Sequence, residues 1–218
     1  MSTAGAGELK LIGGRACLDF TNTVASHGPP PSGDRLASYP DLVAWALHAG
    51  LVDRAGAARL ARAERADPLR AGRVLRRALR LREALYGLFR AAIEARNPRP
   101  LDLATLNHDL SQALAHLELV RTAEGLALDW PRDEVPLERV LWPVVRSAAD
   151  LLASPGDLSR LRHCAGDDCD WLFLDQSRNR SRRWCDMRDC GNRAKVRRFY
   201  AGRRAHRAAA GEDRASAG

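Results

Sequence analysis

Four of the chain's five cysteines lie within 27 residues, and their spacing constrains the fold of the C-terminal part. Cys164 and Cys169 are separated by four residues, fifteen residues follow, and Cys185 and Cys190 are again separated by four. Two close pairs of thiols on separate turns are typical of structural zinc sites, in which four ligands surround the ion tetrahedrally. The spacing therefore predicts one structural Zn²⁺ bound by these four cysteines.

Two disulfides, or four free structural thiols, are the alternatives to a metal. The N-terminus lacks a basic segment followed by an apolar run, and no stretch of eighteen apolar residues occurs, so we expect a cytoplasmic protein that does not enter a membrane. In a reducing compartment, clustered cysteines favour metal binding over disulfides. Four thiolates fill the ligand shell, whereas catalytic zinc keeps one position open for water.

The segment between the two cysteine pairs is expected to form a hairpin, with one strand near 171–174 and its partner near 181–184. So short a segment cannot bury a core of its own, and metal binding should supply most of its folding free energy. The predicted apolar nucleus of this module consists of Trp171, Phe173, Trp184, Val196 and Phe199.

The positive charge of the chain is concentrated in the same region. The chain has a net charge of +8, and residues 158–207 carry 14 Lys and Arg against 6 Asp and Glu, whereas residues 1–157 carry 20 against 19. This asymmetry predicts an anionic partner for residues 158–207. Because 33 of the 35 basic residues are arginine, a coding bias is indicated, and the asymmetry is stronger evidence than any single arginine.

Residues 191–208 are predicted to form a basic helix after the last cysteine. One face combines arginines with Tyr200 at alternating spacings of four and three, and Val196 and Phe199 on another face are expected to pack on the zinc loops. Such a helix suits a nucleic-acid groove, although a solvated basic face is the alternative. The predicted contacts, with those of the preceding loop, are Arg178, Arg180, Arg182, Arg183, Asn192, Arg193, Lys195, Arg197, Tyr200 and Arg204.

The N-terminal part is predicted to be mainly α-helical with one β-hairpin, so the fold class is mainly α with a small β component (α+β). Apolar periodicity predicts helices from Ala16, over 40–49, from Asp53, over 69–95, 101–114 and 137–153, and alternation predicts a hairpin within 115–130. The break at 154–157 divides the chain into a helical domain (1–156), a zinc module (157–208) and a disordered tail (209–218).

A ligand pocket is one interpretation of three polar residues near the N-terminus. Asp19 and Asn22 lie three residues apart on the first predicted helix, and with Arg15 they could face a small-molecule effector, which would make the helical domain a sensor. The favoured alternative is that Asp19 and Asn22 are buried structural residues bonded to the backbone of a neighbouring loop.

The C-terminal segment resembles the CGNR zinc finger, named for Cys190-Gly191-Asn192-Arg193. The N-terminal part resembles the ABATE domain that usually precedes this finger. The matching residues of the finger also include Cys164, Cys169, Phe173, Asp175, Ser177, Asn179, Arg182, Arg183, Trp184, Cys185 and Lys195, and those of the ABATE domain are Gly14, Leu18, Asp19, Phe20, Asn22, Thr23, Leu151 and Leu152. The resemblance implies a bacterial stress-induced transcription regulator or an RNA-binding zinc-ribbon protein.

Three functions follow from these features. We favour a transcription regulator that binds DNA, rather than RNA, through the basic helix, mostly by phosphate contacts, with Arg183, Arg193, Lys195, Arg197 and Arg204 as the main contacts. The alternatives are an RNA-binding protein in which Trp184 and Tyr200 stack on unpaired bases, and an adaptor whose helix docks on an acidic protein. No Walker-type loop, HExxH or GxSxG motif occurs, so no enzymatic activity is expected; the oligomeric state stays open.

Overall fold

Apolar residues at helical spacing build the N-terminal body. The chain is described by a computed structural model that covers residues 5–27, 30–123, 125–131, 136–201 and 203. Its helices are α1 (Ala16–Thr21), α2 (Tyr39–His48), α3 (Arg54–Ala66), α4 (Pro68–Ile93), α5 (Pro100–Leu114), α6 (Trp142–Leu152) and α7 (Pro155–Leu158), with short 3₁₀ helices at Ala6–Glu8 and Leu137–Leu141. A further helix, α8, occupies residues 192–201.

Two antiparallel hairpins complete the described secondary structure. Strands β1 (Glu118–Thr122) and β2 (Gly125–Asp129) form the first, and β3 (Leu161–His163) and β4 (Leu172–Leu174) form the second. The mainly α fold with a small β component is therefore confirmed. No helix in the described ranges is long and apolar enough to cross a membrane.

The core forms around α4, which packs against α1, α2, α3 and α5. Asp67 caps this helix by accepting a hydrogen bond from the amide of Arg70 at 2.8 Å, and Pro68 occupies a first-turn position where its missing N–H costs nothing. The helix ends at Ile93, two residues before the predicted end, and Ala95 then adopts a left-handed conformation with φ of 50°. The chain turns away at this residue, before the prolines at 98 and 100.

The zinc module shares the core of the helical body. Leu161, Leu172 and Leu174 are at most 3% exposed and belong to the main hydrophobic cluster, together with the residues of α1 and α4. The predicted pairing of 171–174 with 181–184 is wrong, because β4 pairs with β3 in the register Leu161↔Leu174. The partner of β4 is thus the strand that precedes the first cysteine pair. Burial of these strands in the main core contributes to the folding free energy of the module in addition to zinc.

A segment of the body, residues 10–27, lies along β4 and joins the two parts. The Asn22 side chain accepts a hydrogen bond from the Leu172 amide at 2.8 Å and donates one to the Leu172 carbonyl at 2.9 Å. The Trp171 indole donates to the carbonyl of Val24 at 3.0 Å. The backbone amide of Leu174 donates to the carbonyl of Gly13 at 2.9 Å. The segment is therefore joined to β4 by one backbone hydrogen bond and by the side chains of Asn22 and Trp171.

Replacing Asn22 with alanine tests this junction. The substitution leaves the amide and carbonyl of Leu172 buried without partners, so we expect Asn22→Ala to lower the free energy of unfolding by about 2–4 kcal/mol. Urea unfolding of the zinc-loaded protein measures it. The exposed Asn107 on α5 offers a matched control, and Asn107→Ala should change stability by less than about 0.5 kcal/mol. Equal effects of the two substitutions would contradict the role given to Asn22.

Candidate metal centre and the surface around it

The four predicted ligands meet at one point. The Sγ atoms of Cys164, Cys169, Cys185 and Cys190 all lie within 4.8 Å of one another, and all four residues are buried. The sulfurs of Cys169 and Cys185 are 3.7 Å apart and those of Cys185 and Cys190 are 3.6 Å apart. Zinc–sulfur bonds of about 2.3 Å directed to the corners of a tetrahedron place the sulfurs about 3.8 Å apart. The cluster therefore fits one structural zinc ion, as predicted.

The alternative of two disulfides does not fit this geometry. A disulfide requires a sulfur–sulfur distance of about 2.05 Å, and all five cysteines are free. Cys17 lies apart from the cluster in the body, and burial raises the pKa of its thiol to about 12. A thiol with so high a pKa stays protonated and behaves as a small apolar side chain.

Two backbone turns position the ligands. In the first cysteine loop, a Cβ atom added to Gly166 would lie 3.3 Å from the Cβ of Cys169, so a larger residue would require this neighbour to shift by a few tenths of an ångström. Cys190 lies in a turn of π-helix, Met187–Gly191, which begins where Asp186 accepts a hydrogen bond from the amide of Arg188 at 2.8 Å. The Cys185 amide also donates to the sulfur of Cys164 at 3.3 Å.

Asp175 organises the loop that connects β4 to the second cysteine pair. Its carboxylate is buried and accepts hydrogen bonds from the amide of Ser177 at 2.9 Å, the hydroxyl of Ser177 at 2.6 Å and the amide of Arg182 at 2.9 Å. Burial acts to raise the pKa of Asp175, but these three donors outweigh it and hold the pKa below its usual value. The loop is thus folded around a carboxylate that stays ionised.

Two of the arginines predicted to bind nucleic acid have structural contacts around the metal site. The Arg182 guanidinium lies 4.2 Å from the centre of the Phe173 ring and donates to the carbonyls of Cys185 and Trp184. Arg193 donates a hydrogen bond to the sulfur of Cys190 at 3.0 Å, and its Nε is buried. Both guanidinium groups therefore contact the metal site, and their binding to nucleic acid stays a prediction.

The remaining predicted residues that the structure describes lie at the surface. Asn192 donates to the carbonyl of Arg188 at 3.1 Å, and Arg197 pairs with Asp167 at 3.1 Å and Asp168 at 3.0 Å, both in the first cysteine loop. The residues with exposed side chains include Arg178, Arg180, Arg183, Lys195 and Tyr200. Arg204 lies outside the described residues, as does the tail at 209–218.

The predicted packing of α8 on the zinc loops is wrong. Val196 is 53% exposed and Phe199 is 61% exposed, so neither belongs to the small cluster around the cysteines. That cluster contains Phe173, with Trp171 and Trp184 packed against it. These two apolar residues of α8 are therefore presented to solvent.

The sequence reasoning missed two exposed arginines, Arg198 on α8 and Arg203 two residues after its end. It also missed Asp170, whose carboxylate accepts hydrogen bonds from the Ser26 hydroxyl at 2.8 Å and the His27 amide at 3.0 Å. Burial acts to raise the pKa of Asp170, but these donors lower it below its usual value. This contact could not be predicted from the sequence, because Asp170 is more than 140 residues from Ser26 and His27 and no motif links them.

The three residues of the predicted ligand pocket have separate structural contacts. Asp19 is 8% exposed and accepts a hydrogen bond from the amide of Gly13 at 2.8 Å, and Asn22 pairs with Leu172. Arg15 forms an exposed ion pair with Asp157 at 2.5 Å. The contacts of Asp19 and Asn22 therefore support the structural alternative that the sequence favoured.

Comparison with protein families agrees with both parts of the chain. The model of the ABATE family, described as "Putative stress-induced transcription regulator", matches residues 14–155. The model of the CGNR zinc finger matches residues 160–208. The first description is that of a regulator family and the second that of a zinc-finger family. A search of curated proteins found no match to this chain.

Arg193 is expected to strengthen zinc binding. Because its guanidinium donates to the sulfur of Cys190, we expect Arg193→Ala to weaken zinc binding by about 10- to 100-fold, as the loss of other outer-shell partners does. Competition with a chromogenic chelator measures the affinity. Arg198→Ala removes an equal charge from an exposed position of the same helix and should leave the affinity unchanged. A similar loss in both variants would indicate a general effect of charge.

Asp19 is expected to make stability depend on pH. Burial raises the pKa of this carboxyl to about 6, so the folded chain holds the proton more tightly than the unfolded chain, and folding becomes less favourable as pH rises towards that value. Asp19→Asn keeps the acceptor for Gly13 and removes the titration. Its stability relative to wild type should therefore rise by about 1 kcal/mol between pH 5 and pH 7.

Unfolding by urea at several pH values in this window, with zinc bound, measures the difference. Asp150→Asn, at an exposed position on α6, serves as the control. A constant difference between Asp19→Asn and wild type across the window would show that Asp19 titrates as an exposed carboxyl does.

Proposed function

The chain belongs to the ABATE family and carries a CGNR zinc finger, and on this basis we propose that it is a transcription regulator that binds duplex DNA through α8 and the loop before the second cysteine pair. Zinc has a structural role in this function: it fixes the turn from which α8 begins. A full shell of four thiolates leaves no position for a substrate or a water molecule, which supports a role without catalysis.

The exposure of α8 is the observation that carries the proposal. Every residue from 195 to 201 is exposed, and this stretch includes Lys195, Arg197 and Arg198, with Arg203 following. Acidic residues are absent from 192–203, so every charged side chain in this stretch is positive. A helix about 10–12 Å across fits the major groove of B-DNA, and its cations would replace condensed counterions on the phosphates.

The loop arginines extend this surface. Arg178, Arg180 and Arg183 are exposed in the segment that Asp175 organises, and Arg180 adopts a left-handed conformation with φ of 49°. Since the loop is fixed by buried hydrogen bonds, its cations need little further ordering on binding. We propose that these arginines contact the backbone of the DNA while α8 lies in the groove, with Arg204 as a further contact.

Arg197 has a different role in this proposal. Its guanidinium bridges Asp167 and Asp168, both more than 70% exposed at the side chain, and so links α8 to the first cysteine loop. A phosphate could compete for this guanidinium, but the acidic pair would then be left beside the DNA. We therefore assign Arg197 to the orientation of α8 and the phosphate contacts mainly to Lys195 and Arg198.

Binding of single-stranded RNA is the second candidate, and the exposed aromatic residues favour it. Phe199 and Tyr200 are 61% and 57% exposed, and the Arg183 guanidinium lies 5.3 Å from the centre of the Trp184 ring. Aromatic rings interleaved with cations stack on unpaired bases in many single-strand binding proteins. Phe199→Ala and Tyr200→Ala would weaken RNA binding much more than duplex binding if this candidate is correct.

Removal of two α8 cations tests the DNA-binding surface. We expect Lys195→Ala combined with Arg198→Ala to weaken duplex binding and to reduce the slope of log affinity against log salt by about two, since each phosphate contact contributes roughly 0.9. Zinc content should be unchanged. Arg62→Ala with Arg65→Ala removes the same charge from exposed positions on α3, and its slope should equal that of wild type. An unchanged slope in the α8 variant would place the DNA elsewhere.

Fluorescence anisotropy with random duplex DNA and random single-stranded RNA, each at two salt concentrations, decides between the candidates. Tighter and steeply salt-dependent binding to the duplex is the expected result. Tighter binding to RNA would favour the second candidate. Failure to bind either at low salt would contradict both and leave an adaptor that docks on an acidic protein.

A further inference from the structure

The β1–β2 hairpin presents its apolar residues to solvent. Leu119, Leu126 and Leu128 are 67%, 70% and 51% exposed, whereas Val120 and Ala127 on the opposite face are partly buried. Among the described residues, the two strands pair only with each other. An isolated two-stranded hairpin is marginally stable in water, and a leucine-rich strand edge invites further pairing. An exposed apolar face and an unpaired strand edge are typical of a surface that binds another protein chain.

The register shows which backbone groups of the described strands point away from the β1–β2 ladder. Thr122 and Gly125 flank a connection of two residues, so they form the first hydrogen-bonded pair of the ladder. Bonded and non-bonded pairs then alternate along antiparallel strands. Ala127 consequently directs its backbone N–H and C=O towards β1, and Leu126 and Leu128 direct theirs outward from the free edge of β2.

We propose that a second copy of this chain occupies this edge, with the two β2 strands antiparallel about a two-fold axis at Ala127. In this register Leu126 lies opposite the partner's Leu128, and each such pair exchanges two hydrogen bonds through the outward backbone groups. The two Ala127 residues meet at the axis as a non-bonded pair. The hairpins of the two copies become one four-stranded sheet, and Leu119, Leu126 and Leu128 of both copies line a single face.

The sequence of β2 is complementary to itself, which is why the second copy is the partner. Its one charged residue, Asp129, would lie opposite the partner's Gly125, so no like charges face each other. The corresponding pairing of β1 with β1 would set Leu119 opposite the partner's Arg121, which leaves an apolar side chain against a charged one. Closed two-fold pairing also leaves no leucine-rich edge for open-ended association.

This inference is independent of the proposed function, because self-association is measured without nucleic acid. We expect sedimentation equilibrium of the full zinc-loaded chain to show a monomer–dimer equilibrium. Leu126→Glu with Leu128→Glu should raise the dissociation constant by roughly a hundredfold or more, since the cross-strand leucine pairs are lost and like charges meet at the axis. A chain that stays monomeric up to millimolar concentration would overturn the proposal.

A matched variant separates this interface from general stickiness. Leu69 and Leu101 are 76% and 75% exposed elsewhere on the surface, and Leu69→Glu with Leu101→Glu should leave the dissociation constant within about threefold of wild type. Equal zinc content and equal circular dichroism would show that both double variants fold. A dimer that survives Leu126→Glu with Leu128→Glu would place the interface elsewhere.

Disulfide trapping tests the register itself. Residues in a non-bonded antiparallel pair have Cα atoms about 4.5 Å apart, which a disulfide can span, so Ala127→Cys should form a covalent dimer under mild oxidation. Val120→Cys places the thiols three strand spacings apart, about 14 Å, and should not cross-link. Failure of Ala127→Cys to cross-link within a leucine-dependent dimer would overturn pairing through the β2 edge.

Discussion

Two hydrogen bonds between the side chain of Asn22 and the backbone of Leu172 join the helical body to the zinc module. The position of the metal site and of α8 depends on this junction. A module of about fifty residues with four ligands and few apolar side chains cannot build a full core, and here β3 and β4 extend the core of the helical body. The Asn22 amide supplies the donor and the acceptor that the edge of β4 needs. Zinc then has only to fix the cysteine loops between and after these two strands.

The ligand set and the fold class could be predicted because each depends on short-range pattern. The spacing of four cysteines is enough to identify a tetrahedral site, and apolar periodicity is enough to place the helices to within a few residues. The partner of β4 could not be predicted, since strand pairing depends on contacts that periodicity does not encode. Val196 and Phe199 illustrate the same limit: their spacing identifies one face of a helix, but not whether that face meets protein or water.

The basic residues of the zinc module and α8 divide into two groups that the sequence does not distinguish. Arg182 and Arg193 lie against carbonyls, an aromatic ring and a thiolate, where their charge stabilises the metal site. Lys195 and Arg198 stand on an exposed helix with no acidic residue in the same stretch. Composition counts both groups alike, so net charge overstates the cations available to a partner. To tell the two groups apart, one must know which backbone carbonyls lie close to each guanidinium in the folded zinc loops.

The contact between residues 10–27 and β4 has a consequence for folding on the ribosome. Gly13, Asn22 and Val24 are synthesised about 150 residues before Leu174, Leu172 and Trp171, which are their partners. The N-terminal segment therefore lacks these partners until residues 171–174 have been synthesised. The last zinc ligand, Cys190, is made later still, and a chain truncated before residue 172 leaves α1 without the strand that contacts it.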